Sequence, residues 1–170
     1  MPPDPEIFAL AQQVGEQLRR QGRSLAVAES CTGGLLGAAL TDVPGSSTYF
    51  LGGVISYADR VKVEQLQVPE ATLRQYGAVS QEAAAAMATG VRQLLRADIG
   101  VSITGVAGPD AEGAKPVGLT FIGIVGPTLP SSASGGGESV HRFQWTGDRW
   151  DNRRRSVIAA LELLVQTLGR

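Results

Sequence analysis

The nine residues Ala26-Val-Ala-Glu-Ser-Cys-Thr-Gly-Gly34 leave the chain little choice of local structure. An apolar run ends at Glu29. Two small hydroxyl residues, a cysteine and a glycine pair follow, and Leu35, Leu36, Ala38, Ala39 and Leu40 come at once. That order predicts a strand, a tight turn and a short helix to about Thr41, with Ser30 at the corner. A serine there meets free backbone N–H groups and the positive end of a helix dipole. It can hold an anion or stabilise the oxyanion formed when a serine attacks a carbonyl. The plainer reading is that Ser30 or Thr32 only caps the helix, and local pattern by itself favours the cap.

Helical and strand patterns interleave along the rest of the chain. Ile7, Phe8, Ala11, Val14 and Leu18 predict an amphipathic first helix stopped by Gly22. Residues 24–28 predict the first strand. Residues 50–57 read as a buried strand, with Gly52 and Gly53 marking a bulge or close approach. Asp59 is placed as the cap of a short helix carrying Lys62 and Leu66. Residues 69–76 predict another short helix, closed by Gly77, and Ser80 caps a helix from Gln81 to about Arg96. Strands follow at 99–103 and 119–125, an edge strand at 139–145, and a last helix opened by Gly147-Asp148 with Val157, Ile158, Leu161, Leu164, Val165 and Leu168 as its apolar stripe. Residues 127–137, rich in Ser, Gly and Pro, predict a hairpin loop. The expected fold is a single three-layer α/β/α domain over residues 1–170, with a mixed, mainly parallel sheet.

Composition narrows the function. The net charge of −1 gives no field that favours nucleic acid or an anionic membrane. No apolar run has the length of a membrane span, and no signal peptide opens the chain. One cysteine excludes an internal disulfide, so a cytoplasmic location is expected. One histidine beside it argues against a zinc site, and no metal or cofactor is expected. Of fifteen basic residues only Lys62 and Lys115 are lysine. A lysine can give up its proton where arginine cannot, which fits a selected role; an arginine-biased coding preference explains the count equally well.

In open α/β sheets the site lies beyond the carboxyl ends of the strands. Ser30, the Tyr57–Lys62 segment and the Thr104–Gly108 loop all fall there. His141 sits on the predicted edge strand, far from such a corner, and the Gly-x-Ser-x-Gly elbow is absent, so a Ser-His-Asp triad does not fit. Gly33 occupies the place that a Ser-x-x-Lys motif gives to lysine, so Lys62 must reach Ser30 from the next strand end. Either a neutral Lys62 takes the serine proton, or a charged Lys62 promotes ionisation of Tyr57, which takes it. Tyr57 also reads as an ordinary aromatic at a sheet edge. The Gly105-x-x-Gly108 loop lacks both the dinucleotide and the P-loop pattern. It lets a flat or phosphorylated ligand approach the backbone, or is an ordinary strand exit.

Ala28-Glu-Ser-Cys-Thr-Gly-Gly34, Pro44-Gly-Ser-Ser47, Ser56-Tyr57, Gly77-Ala-Val-Ser80, Thr104-Gly-Val-Ala-Gly-Pro109 and Lys115-Pro-Val-Gly118 occur in this order. Together they resemble the C-terminal domain of the CinA (competence-damage-inducible) family over nearly the whole chain. The resemblance implies a nicotinamide mononucleotide deamidase that forms nicotinic acid mononucleotide and ammonia in pyridine nucleotide salvage. Its serine, tyrosine and lysine fall here on Ser30, Tyr57 and Lys62. Relatives also carry an N-terminal domain resembling molybdopterin-binding proteins and linked to ADP-ribose pyrophosphatase activity; only the deamidase half is expected here.

On this reading the N–H groups near Cys31 and Thr32 hold the oxyanion, and Gly33, Thr104, Gly105, Ala107 and Gly108 also contact the substrate. Lys115 and Arg149 meet the phosphate, Arg149 ranking above the Arg153-Arg154-Arg155 run. A homodimer is expected, with Phe50, Trp145 and Trp150 as its apolar surface. The rival readings are a binding module without catalysis, linked to competence or DNA damage, and an amidohydrolase of another carboxamide. Simple binding needs neither a nucleophile nor a base, so Ser30, Tyr57 and Lys62 together argue against the first.

Overall fold

A computed structural model describes residues 3–131 and 137–169. The first helix, α1 (Pro5–Gln21), starts where the Asp4 carboxylate accepts the N–H groups of Glu6 and Ile7 and ends at Gly22 in the left-handed region. Strand β1 (Leu25–Glu29) leads through the Ser30 turn to α2 (Leu35–Thr41). Strand β2 (Phe50–Ile55) is followed by the short helices α3 (Asp59–Leu66) and α4 (Glu70–Tyr76), then α5 (Gln81–Leu95). Next come β3 (Ile99–Gly105), β4 (Leu119–Ser131), β5 (Gly137–Gln144) and α6 (Arg149–Leu168).

The strands form one mixed sheet in the order β2-β1-β3-β4-β5. β1 pairs parallel with β2 and β3, whereas β4 runs against both β3 and β5. Four strands therefore share one direction. Side chains of β1 alternate between the two faces: Leu25 and Val27 join the core under α1, α2 and α6, while Ala26 and Ala28 join the core under α5. Helices cover both faces, as the interleaved pattern predicts.

Several local expectations need correction. β2 is an edge strand, not a buried one. Leu51 and Ile55 are 50% and 56% exposed on one side of it while alternate residues turn inward. The expected bulge is present, since the register slips where Leu25 faces Phe50 and Ala26 faces Gly52. Asp59 is the first residue of α3, and Ala58 holds the cap position. Residues 127–131 belong to β4, because antiparallel pairing continues past Val125; of the expected loop, residues 132–136 lie outside the described residues. Phe50 and Trp145 pack against the main core, so of the three apolar residues proposed for a dimer surface only Trp150 is exposed. Among the described residues no helix is long and apolar enough to cross a membrane.

Candidate active site

The Ser30 corner is built by its neighbour. Glu29 closes β1 and is only 1% exposed. Its carboxylate accepts the N–H groups of Gly34 and Leu36 at 3.1 Å each and of Gly37 at 2.8 Å. These are the orphan donors at the start of α2, so a built-in anion occupies that helix terminus. The expectation that Ser30 or Thr32 caps the helix is therefore overturned: Gly34 is the cap residue, and the capping oxygens come from Glu29. Ser30 is relieved of that duty. Replacing Glu29 with Gln removes one acceptor and turns an amide N–H₂ toward buried N–H donors. We expect it to cost about 1–3 kcal/mol, read as a shifted denaturation midpoint.

The turn leaves two donors open. Ser30 N–H donates to the Ile103 carbonyl at 2.9 Å, Gly33 N–H to the Ser30 carbonyl, and Leu35 N–H to the Thr32 carbonyl. Among the described residues no carbonyl or carboxylate takes the N–H of Cys31 or Thr32. Arg153 holds the turn from α6, its guanidinium donating to the Cys31 and Thr32 carbonyls at 3.1 and 3.0 Å. Nothing in the local sequence around Ser30 announced that clamp.

Lys62 comes from α3, which follows the neighbouring strand, and its amine reaches Ser30 Oγ at 3.3 Å. It also donates to the Ser56 carbonyl at 2.8 Å and the Tyr57 carbonyl at 3.2 Å, with Asp59 at 3.5 Å. The residue is 1% exposed. Burial disfavours the ammonium and lowers the Lys62 pKa below that of an ordinary lysine, a shift that the Asp59 carboxylate opposes. Cys31, which also lines the site, goes the other way. Burial pushes its thiol up to about 12, leaving no thiolate to compete as nucleophile.

Tyr57 is 61% exposed, and its phenol accepts from the Arg149 guanidinium at 3.2 Å. Arg149 also donates to the Gly108 carbonyl. The phenol therefore pairs with Arg149, and only the Tyr57 carbonyl touches Lys62. Of the two base arrangements left open by the sequence, the one that sets the Tyr57 hydroxyl against Lys62 finds no such hydrogen bond among the described residues.

These residues surround one cleft of about 270 Å³ beyond the carboxyl ends of β1 and β3. Ser30, Cys31, Tyr57, Lys62, Thr104, Gly105, Ala107, Gly108 and Arg149 line it, as does the α4–α5 connection at Ala78 and Val79. Thr104 is tied to that connection by a 2.8 Å bond to the Ala78 carbonyl. Gly108, at φ +99°, also has Val117 against the place a Cβ would fill, so backbone conformation and packing both favour glycine there.

Three expected residues lie elsewhere. Thr32 and Gly33 shape the turn behind the lining, and Lys115 is spent on the Tyr76 and Val79 carbonyls. The arginine run divides its work: Arg154 binds Asp4 and Glu6, and Arg155 binds Asp151. Sequence reading missed Asp59, Asp110 and Glu112 as lining residues. Asp59 could have been found from its i, i+3 spacing to Lys62; the other two carried no local signal.

The chain matches the CinA C-terminal domain over residues 7–168. It is 49% identical over 156 residues to a CinA-like protein of Microcystis aeruginosa, which covers 91% of this chain and 36% of that relative. The chain thus spans about a third of the length of the curated relatives it matches. Among solved structures, a CinA superfamily protein from Klebsiella pneumoniae superposes with a TM-score of 0.89 at 32% identity, covering 96% of this chain and 98% of the other. A competence/damage-inducible protein from Agrobacterium tumefaciens does so with a TM-score of 0.88 at 33% identity, covering 98% of each. By sequence and by fold, this chain belongs to the CinA C-terminal domain family.

Proposed function

We propose that the cleft hydrolyses the carboxamide of nicotinamide mononucleotide to nicotinic acid mononucleotide and ammonia. The observation that carries this reading is the buried pair of Ser30 Oγ and Lys62 Nζ, 3.3 Å apart in a lined cleft. A serine hydroxyl becomes a useful nucleophile when a base takes its proton, and a lysine tuned toward its neutral form is such a base.

Ser30 Oγ attacks the carboxamide carbon while Lys62 Nζ takes the hydroxyl proton. The carbonyl oxygen becomes an oxyanion held by the open N–H group of Cys31, the residue of the turn that lines the cleft. As the C–N bond breaks, Lys62 returns the proton to the leaving nitrogen, and ammonia departs from an acyl-serine. Water then gives a proton to Lys62 and attacks the acyl carbon. Nicotinic acid mononucleotide leaves, and Ser30 recovers its proton. Tyr57 supports the pair through its carbonyl, and Arg149 beside its phenol takes the phosphate.

The test is to incubate the purified protein with nicotinamide mononucleotide and follow both products. Equal release of ammonia and nicotinic acid mononucleotide is expected. Release from a different carboxamide alone would keep the amidohydrolase and reject this substrate.

A further inference from the structure

Three carboxylates line a cleft that holds two basic side chains. Asp59, Asp110 and Glu112 face it with Lys62 and Arg149. Arg149 is already shared between the Gly108 carbonyl and the Tyr57 phenol, and Asp59 is paired with Lys62. Asp110 and Glu112 have no cationic partner among the described residues, so the unbalanced charge of the cleft is negative and sits on their loop.

That loop is held in place. Glu112 and Lys115 exchange two backbone hydrogen bonds of 3.0 Å, and the Lys115 ammonium grips the Tyr76 and Val79 carbonyls. The second of the two lysines thus anchors the segment that presents the carboxylates. Glu112 is near enough for its charge to be felt at Lys62. Lining the same space is the Ser30 hydroxyl, more than nine-tenths buried, whose only side-chain partner among the described residues is Lys62. The carboxylates therefore face the same cleft as the Ser30–Lys62 pair.

We propose that Asp110 and Glu112 make this cleft selective for an amide borne on a cationic ring over the same amide on a neutral ring. The choice of a pyridinium as that ring rests on the nucleotide amidohydrolase reading; the charge preference itself needs only the cleft. Two exposed carboxylates near a ring cation together favour it by up to about tenfold at low salt, and the preference shrinks as salt screens it. The preference also serves the chemistry. A ring cation draws electrons from its carboxamide, so reading the charge selects the more electrophilic carbonyl.

The test compares 1-methylnicotinamide with 1-methyl-1,4-dihydronicotinamide, which carries the same amide on a neutral ring. Binding is measured by calorimetry on the Ser30→Ala protein, with and without Asp110→Asn and Glu112→Gln together. We expect about tenfold tighter binding of the cation, falling to within about twofold in the carboxylate variant and at high salt. Equal binding of the two rings, or a preference that survives both substitutions, overturns the proposal. Ammonia release by the parent protein is followed separately with nicotinamide mononucleotide and its dihydro form. Turnover indifferent to ring charge overturns the selectivity and leaves the deamidase reading standing. Charge-selective binding without ammonia release does the reverse.

Discussion

Replacing Ser30 with Ala, or Lys62 with Met, is expected to lower ammonia release from nicotinamide mononucleotide by about a thousandfold or more. Combining the two should cost little beyond either alone, because the residues act as a unit. Ser30 Oγ loses its base when Nζ goes, and Nζ has no hydroxyl to deprotonate when Oγ goes. Lys62→Arg sharpens the point, since it keeps a cation beside the Ser56 and Tyr57 carbonyls but offers no titratable amine. Near-parental turnover in Lys62→Arg would exclude the lysine as base and return the role to Tyr57. Turnover that survives Ser30→Ala would exclude the acyl-serine.

The same lysine sets the direction of two pH effects. Burial lowers its pKa, so the rising limb of the activity profile should lie below the ordinary lysine value of 10.5. The folded protein also holds that proton less tightly than the unfolded chain. Lys62 therefore subtracts stability below its folded pKa, and the penalty is relieved as pH rises from that value toward 10.5. Lys62→Met should abolish the activity limb while circular dichroism shows a folded protein.

Gly90→Ala should destabilise the fold by about 1–3 kcal/mol. In an exposed helix the same change would stabilise by about 1 kcal/mol. Here a Cβ would lie 2.0 Å from the Leu66 carbonyl oxygen and 2.8 Å from its carbon. Both are backbone atoms, so no side chain can swing aside, and α3 must move off α5. Lys62 stands one turn earlier on α3, so displacement of that helix should also slow turnover. A melting temperature lower by about 3–10 °C is expected. An unchanged or raised value would mean that α3 shifts freely.

The sequence alone determined the element order, the α/β class and the chemistry-bearing corner, because each rests on short-range rules. Apolar spacing in α1 and α6, the Ser80 cap, the Gly22 and Gly77 stops and the strand-turn-helix at Ala26–Gly34 involve residues within a turn or two of each other. The ordered motifs that resemble CinA proteins added Ser30, Tyr57 and Lys62 as a set. Only the tertiary structure decided which atoms meet. Local pattern pointed to Ser30 or Thr32 as the cap of α2, yet Glu29 reaches back to three amides because the turn folds its side chain under the helix. Tyr57 and Lys62 are five residues apart in sequence, but the phenol is bound by Arg149 from the far end of the chain and the amine by Ser30 from the adjacent strand. Lys115 was equally notable for its rarity, and packing sent it to the Tyr76 and Val79 carbonyls. Apart from the Glu29 cap, these pairings span 32 to 92 residues and are set by strand order, a property no local window contains.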